Sequence, residues 1–472
     1  MRQFLFVFFF LNSLIGFSQE EWVHINTRFG ANSSEIKDAI PVVDTSNGNF
    51  AFFLQEYNGI TGYLYNENQE LISEMRVPLF PKKTPYFIGS VINDYLVTLF
   101  FKNGSGRKFS SIAFNFTTNK FVVKEELPID LRKEVIVDSF NEMEILHLLT
   151  IIQGTSVLKL YTFDKESNIE TKTIDLTEHE FSGIKGGEFY YMYFGPNGYG
   201  KTSQILKNEP MSLELTSSSS KAYFNEGVVT LTTDFQDDYT YLLNIDTKDG
   251  SWKVKELENK DFTKTELRSK SNSFIYKDLF FKVHVTPYRL VFSIYNKTTN
   301  ELVKEFTINE DSEIDFKNSP IMLEGGDLSN YRELKRTKQF LRKIFRSNLG
   351  VSVYEREGLY VVTIGASEEI QRVNMSIMGG MIGGMIGGAL FSAFNSYSKT
   401  KSTRIICLFD KDFSHVEGDN IPLNGFDIIN NDSSNLEGNQ LFESVFKYKD
   451  SYIRGAFNKK SGVYRFLKYT EY

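Results

Sequence analysis

The chain has 472 residues, 41% of them hydrophobic and 15% aromatic, which is ample for a large core. Its 53 basic and 60 acidic side chains leave a net charge of −7, which argues against nucleic acid as the main partner. Cys407 is the only cysteine, so no intrachain disulfide can form, and the many Phe (43) and Tyr (25) beside 10 Pro favour strands held by packing.

Residues 1–18 read as an export signal. Arg2 supplies a positive start, Phe4–Leu11 is an unbroken apolar run, and Gly16 and Ser18 are small residues placed for cleavage before Gln19. No cysteine follows the apolar run, which argues against a lipid-modified N-terminus. The expected address is the periplasm or an envelope membrane, with secretion as a further destination. The mature chain, 19–472, reads as one domain.

Beyond residue 40 a small pattern returns: an apolar strand, a tight polar turn, then an aromatic or β-branched strand. The turns are Asn47-Gly48, Asn93-Asp94, Asn141-Glu142, Gly186-Gly187, Glu226-Gly227, Lys277-Asp278, Glu357-Gly358 and Lys449-Asp450. Asn, Asp and Gly tolerate the positive φ that hairpin turns require. The first six turns recur about every 46 residues, the length of four short antiparallel strands. The pattern resembles the β-propeller architecture, though no family within it: the Trp-Asp ending of WD40 blades is missing, and Asp249-Gly250-Ser251-Trp252 has the wrong spacing for a sialidase box. Eight turns imply eight blades. Seven is the alternative, because the fourth repeat, Gly186–Leu215, is the least regular; a β-sandwich array is the competing fold.

Both ends suit a closed ring. Val463–Tyr469 ends the last repeat one strand short, and Trp22–Phe29 (within 21–29) alternates well enough to supply the missing strand. The two longest intervals mark insertions, 329–350 and 367–402, with a polar loop near Asn424–Asn439. In a four-strand meander, the connection into the first strand and the one from second to third share an edge. Both insertions are therefore expected on one face.

The first insertion reads as a basic amphipathic helix, with Asn330 and Glu333 as a capping box and Gly350 as a stop. Arg332, Lys335, Arg336, Lys338, Arg342, Lys343 and Arg346 oppose an apolar arc of Leu334, Phe340, Leu341, Ile344 and Phe345. Such a face suits an anionic lipid surface or an acidic protein. The second insertion has no charged residue over 373–398. Gly379, Gly380, Gly383, Gly384, Gly387 and Gly388, continued by Ser392, form a small-residue stripe on a helix spanning Met375–Phe394. Its six glycines cost about 5–6 kcal/mol relative to alanine in a free helix, so the stripe makes sense as a surface that packs on a membrane protein or enters lipid.

Chemistry-bearing patterns are sparse. His24, His147, His179, His284 and His415 are scattered without metal-ligand spacing, and the sequence contains no Gly-x-Ser-x-Gly elbow, His-Glu-x-x-His or phosphate loop. The sequence assigns no catalytic, cofactor-binding or metal residue. Its leading reading is an exported, non-enzymatic propeller that acts as a binding or scaffold module at an envelope membrane. The alternatives are a propeller hydrolase or lyase acting on carbohydrate and a secreted membrane-perturbing effector.

Overall fold

A computed structural model of the chain describes residues 20–27, 36–78, 83–142, 144–182, 187–236, 239–258, 269–325, 331–368, 386–432 and 440–470. The expected export signal, 1–18, lies outside them.

The described residues form seven sheets of four or five strands, the blades of a propeller. Blade 1 runs Ile36–Val43, Phe50–Glu56, Ile60–Tyr65, Leu71–Val77, each strand antiparallel to the one before. Blade 2 is Tyr86–Asn93, Leu96–Lys102, Phe109–Asn115, Lys120–Lys124, and blade 3 is Glu134–Glu142, Ile145–Ile152, Val157–Phe163, Ile169–Asp175. Blade 4 is Ser220–Asn225, Val228–Thr233, Tyr239–Asp246, Trp252–Glu258, and blade 5 is Lys270–Tyr276, Leu279–Val285, Arg289–Asn296, Leu302–Asn309. The second strand of blade 1 is buried along its whole length, whereas the fourth is largely exposed, so the fourth strands form the rim. Apolar residues on both faces of the middle strands explain this, since each blade packs between two neighbours.

Blade 7 closes the ring. Gln440–Tyr448, Ser451–Asn458 and Val463–Thr470 are completed by Glu20–Asn26, which pairs antiparallel with the last strand from Glu20 opposite Lys468 to Asn26 opposite Val463. Trp22 fastens the closure, its ring centroid 4.8 Å from that of Tyr448 and 5.0 Å from that of Phe50 in blade 1.

Blade 6 is assembled out of chain order. Asn348–Arg356, Leu359–Ser367 and Ser402–Phe409 are its first three strands, but its fourth and fifth, Ile321–Glu324 and Arg332–Leu334, precede them in sequence.

Seven of the eight sequence turns join the first and second strands of a blade, and Gly48, Asp94, Glu226, Lys277, Glu357 and Lys449 all have positive φ there. The eighth does not, and the expectation of eight blades is corrected to seven sheets. Between blades 3 and 4, the Gly186–Leu215 stretch carries helix α1 (Phe189–Phe194), a short strand Thr202–Ile205 and helix α2 (Leu213–Thr216). Gly195 and Gly198 at positive φ, Pro196 and Pro210 interrupt it too often for four strands.

The remaining helices are α3 (Thr337–Arg346), α4 (Ile386–Lys399) and α5 (Gly425–Asn431). Helices α2, α3 and α5 precede the first strands of blades 4, 6 and 7, and α4 joins the second and third strands of blade 6. All five helices of the described residues therefore gather at the edge where first strands begin. Among the described residues, no helix is long and apolar enough to cross a membrane.

Candidate functional site

The axis of the ring is occupied by the chain itself. Thr202–Ile205 pairs in parallel with the first strand of blade 4, on that strand's inner side, as an extra innermost strand. Gln204 Nε2 donates to the Ser139 carbonyl of blade 3 at 3.1 Å. Further along, Ser352 of blade 6 donates to the Met211 carbonyl at 2.7 Å. Glu209 accepts from Lys447 of blade 7 at 2.8 Å and from the Tyr452 hydroxyl. One segment thus binds the inner strands of blades 3, 4, 6 and 7. Gly350, expected to stop a helix, sits inside the first strand of blade 6. A Cβ there would lie 3.1 Å from the Ser217 backbone, so glycine lets the plug come close.

Helix α4 holds the C-terminal part of the glycine insertion against this plug. Its Ala389 is buried, and Leu390, Ala393 and Phe394 join the core shared with blades 5 and 6. Ser396 Oγ lies 2.6 Å from Ser212 Oγ, while Glu214 of α2 accepts from Ser396 and Thr400, both at 3.1 Å. On the other side Tyr397 donates to Asp427 of α5 at 2.9 Å. Of the proposed stripe, Gly379, Gly380, Gly383 and Gly384 lie outside the described residues. Gly387 and Gly388 fall in the first turn of α4, and Ser392 is exposed. The helix begins at Ile386 among the described residues and runs on to Lys399, beyond the expected end at Phe394.

The basic helix is shorter than 329–350, and its apolar arc is used within the fold. Helix α3 buries Phe340, Leu341 and Ile344, so that arc is not free to lie on a membrane. Arg332 and Glu333 belong to the outermost strand of blade 6, which rules out the Asn330–Glu333 capping box; the Arg336 amide instead donates to the Gln339 side chain at 3.3 Å. The helix could not start earlier because Arg332–Leu334 pairs with Ile321–Leu323.

Two of its cations are neutralised. Lys338 pairs with Glu310 at 2.8 Å, and Lys343 pairs with Glu368, which also holds Lys401 at 2.6 Å. Burial opposes ionisation of Glu368, but the two lysines hold its carboxyl below the usual range. Glu368 directly follows the second strand of blade 6, so this cluster joins α3 to the root of the glycine insertion. The two insertions therefore share an edge. Arg332, Lys335, Arg336, Arg342 and Arg346 remain exposed there.

No catalytic constellation emerges from the histidines. His147 and His284 are buried in second strands, and burial lowers their pKa to about 4 and about 3. His24 contacts Glu21, His179 contacts Glu256, and His415 contacts Asn318. Among the described residues no group of three or more His, Cys, Asp or Glu could hold a metal ion. Burial likewise pushes the Cys407 thiol far above its usual range.

The plug was missed by sequence reading. Its signal was the irregular fourth repeat, with Glu209-Pro210 in a stretch that fits neither strand alternation nor a surface loop.

No protein-family model matches the chain, and no curated protein is similar to it in sequence. Among solved structures it is similar to the Dos1 propeller, at 8% identity and a TM-score of 0.34, over 97% of this chain and 96% of that one. It is also similar to Synechocystis apocarotenoid oxygenase, at 8% identity and a TM-score of 0.28, over 57% of this chain. The chain spans 61% of the length of that oxygenase.

Proposed function

We propose that the protein is an exported, non-enzymatic propeller that serves as a binding or scaffold module at an envelope membrane or a membrane-protein complex, through the edge that carries its helices. The observation that carries the reading is the axial plug. Propellers build active sites where inner strands converge, and here that space holds residues 202–217, whose Gln204, Glu209 and Met211 are bonded to three different blades. The helical edge supports the second half of the reading, since it carries both the exposed cations of α3 and the uncharged glycine insertion.

In this reading the partner packs on Gly379, Gly380, Gly383, Gly384, Gly387 and Gly388, while the exposed arginines draw an anionic lipid or an acidic protein. Two variants separate these terms. Gly383→Leu with Gly387→Leu holds a partner helix away and is expected to abolish membrane or partner recovery with the propeller still folded. Replacing Arg336, Lys338, Arg342 and Lys343 with Gln is expected to weaken recovery in a salt-dependent manner, because that attraction is screened over about 8–10 Å. Undiminished recovery of the Leu variant would refute the packing role.

A further inference from the structure

We infer that the helical edge also carries a ring of exposed aromatic side chains that rests on an anionic lipid surface. The inference rests on the membrane reading above but assigns a contact separate from the glycine segment.

The ring follows from where the exposed aromatic residues fall on the blades. Tyr57, 63% exposed, lies between the second and third strands of blade 1, and Tyr86 opens the first strand of blade 2. Tyr199, 88% exposed, lies in the connection from blade 3 to blade 4. Phe235 and Tyr288 follow the second strands of blades 4 and 5, and Tyr331 stands at the head of the outermost strand of blade 6. Each of these positions is at the helical edge, one for each of six successive blades. At the opposite edge the described exposed aromatic residues are Tyr95 and Phe121. Exposed aliphatic residues such as Leu71 and Leu302 are on outermost strands, at the rim.

Tyrosine is the residue type that suits such a place. Its ring enters the headgroup layer while its hydroxyl stays hydrated, which is why aromatic belts mark membrane interfaces. The ring is also paired with cations. Lys37 lies 5.6 Å from the centre of the Tyr57 ring. Lys270 lies 5.8 Å from Phe345 of α3. The exposed arginines of α3 and the strand before it extend this charge; Glu310 and Glu368 are held by lysines, while Asp311, Glu313, Asp315 and Glu333 are exposed acids beside them. The helical edge thus carries exposed cations among its aromatic side chains. Rings spread over six blades fit an extended plane, whereas a sugar or peptide site would cluster them.

The test is co-sedimentation of the mature protein with vesicles of phosphatidylcholine, with and without phosphatidylglycerol. Wild type is expected to bind the anionic vesicles. The Tyr57→Ser, Tyr199→Ser, Tyr288→Ser triple variant is expected to bind about tenfold or more weakly, since each loss removes interfacial aromatic area. The opposite-edge control, Tyr95→Ser with Phe121→Ser, should bind as wild type does. All three side chains of the triple variant are surface residues, and unchanged thermal unfolding checks its fold. Equal binding by the triple variant and wild type overturns the inference, as does equal binding to neutral and anionic vesicles. If wild type ignores both vesicles yet recovers a membrane protein from cells, the lipid ring is refuted and the proposed function stands. If a chain lacking 375–394 binds vesicles through the same tyrosines, the ring stands and the role of the glycine segment falls.

Discussion

Trp22→Ala tests the ring closure most sharply. Trp22 is 9% exposed and sits in a cage of Phe50, Phe446, Tyr448 and Phe466, with centroids 4.8–6.1 Å away. Truncating a buried Trp to Ala costs about 3–5 kcal/mol, because the cavity cannot be refilled by the surrounding rings. An unfolding entropy of about 2.1 cal/mol/K per residue over residues 19–472 converts this to a Tm drop of about 3–5 °C, provided the ring unfolds as one unit. Removing the whole strand, residues 19–26, also strips Val23 and Ile25 from the core and bares the edge of Val463–Thr470. Those two side chains add about 1.5–3 kcal/mol each. The sum is a large share of an ordinary domain stability of about 5–15 kcal/mol, so the deletion is expected to open the ring and expose it to aggregation. Calorimetry or circular dichroism on a chain starting at residue 19 reads both variants. A Tm within about 1 °C of wild type for the deletion would show that the N-terminal strand does not close the propeller.

Two further predictions concern buried charge. Lys221 and Asp234 form a fully buried pair at 3.2 Å, with Thr240 and Ser273 donating to the same carboxylate. Asp234→Ala strands the Lys221 ammonium and is expected to cost about 3–5 kcal/mol by urea unfolding, whereas Lys221→Met with Asp234→Asn should recover most of it; equal losses would refute the pairing argument. Burial pushes the Asp138 carboxyl up to about 8 despite hydrogen bonds from Ser139 and Gln204. A raised carboxylate pKa means that the folded state holds the proton longer, so its contribution is full below about pH 4 and is lost as pH rises to about 8. Asp138→Asn should flatten the decline of Tm across that window, and an unchanged slope would place the pH dependence elsewhere.

How much could be read in advance depended on whether a residue obeyed a local rule. The hairpin turns were legible because Asn, Asp, Gly and their neighbours must supply positive φ at the same point of each blade. Strand Glu20–Asn26 was legible from its alternation and from the last repeat ending one strand short. The shared edge of the two insertions followed from meander geometry, and the Lys343–Glu368–Lys401 cluster now fastens them there. Non-local pairing was not legible. Ile321–Glu324 becomes the fourth strand of blade 6 by pairing with Ser402–Phe409, which among the described residues is followed by a helix before the next strand. Arg332–Leu334 then pairs with it, at the expense of the helix that the charge pattern implied. The plug escaped because its partners, Ser139, Ser352 and Lys447, are spread over three blades. The aromatic ring escaped for the same reason, since Tyr57 and Tyr288 are isolated tyrosines until the topology brings them to one edge.

The most direct measurement is fractionation of cells producing the full chain or a form lacking Met375–Phe394, with partner recovery from each fraction. The proposed function predicts that the full chain enters the membrane fraction or holds a membrane-protein partner, and that the deletion shifts it to the soluble fraction without unfolding the propeller. Equal solubility of the two forms, with the same partners recovered, would make the glycine segment a tolerated loop and contradict the account.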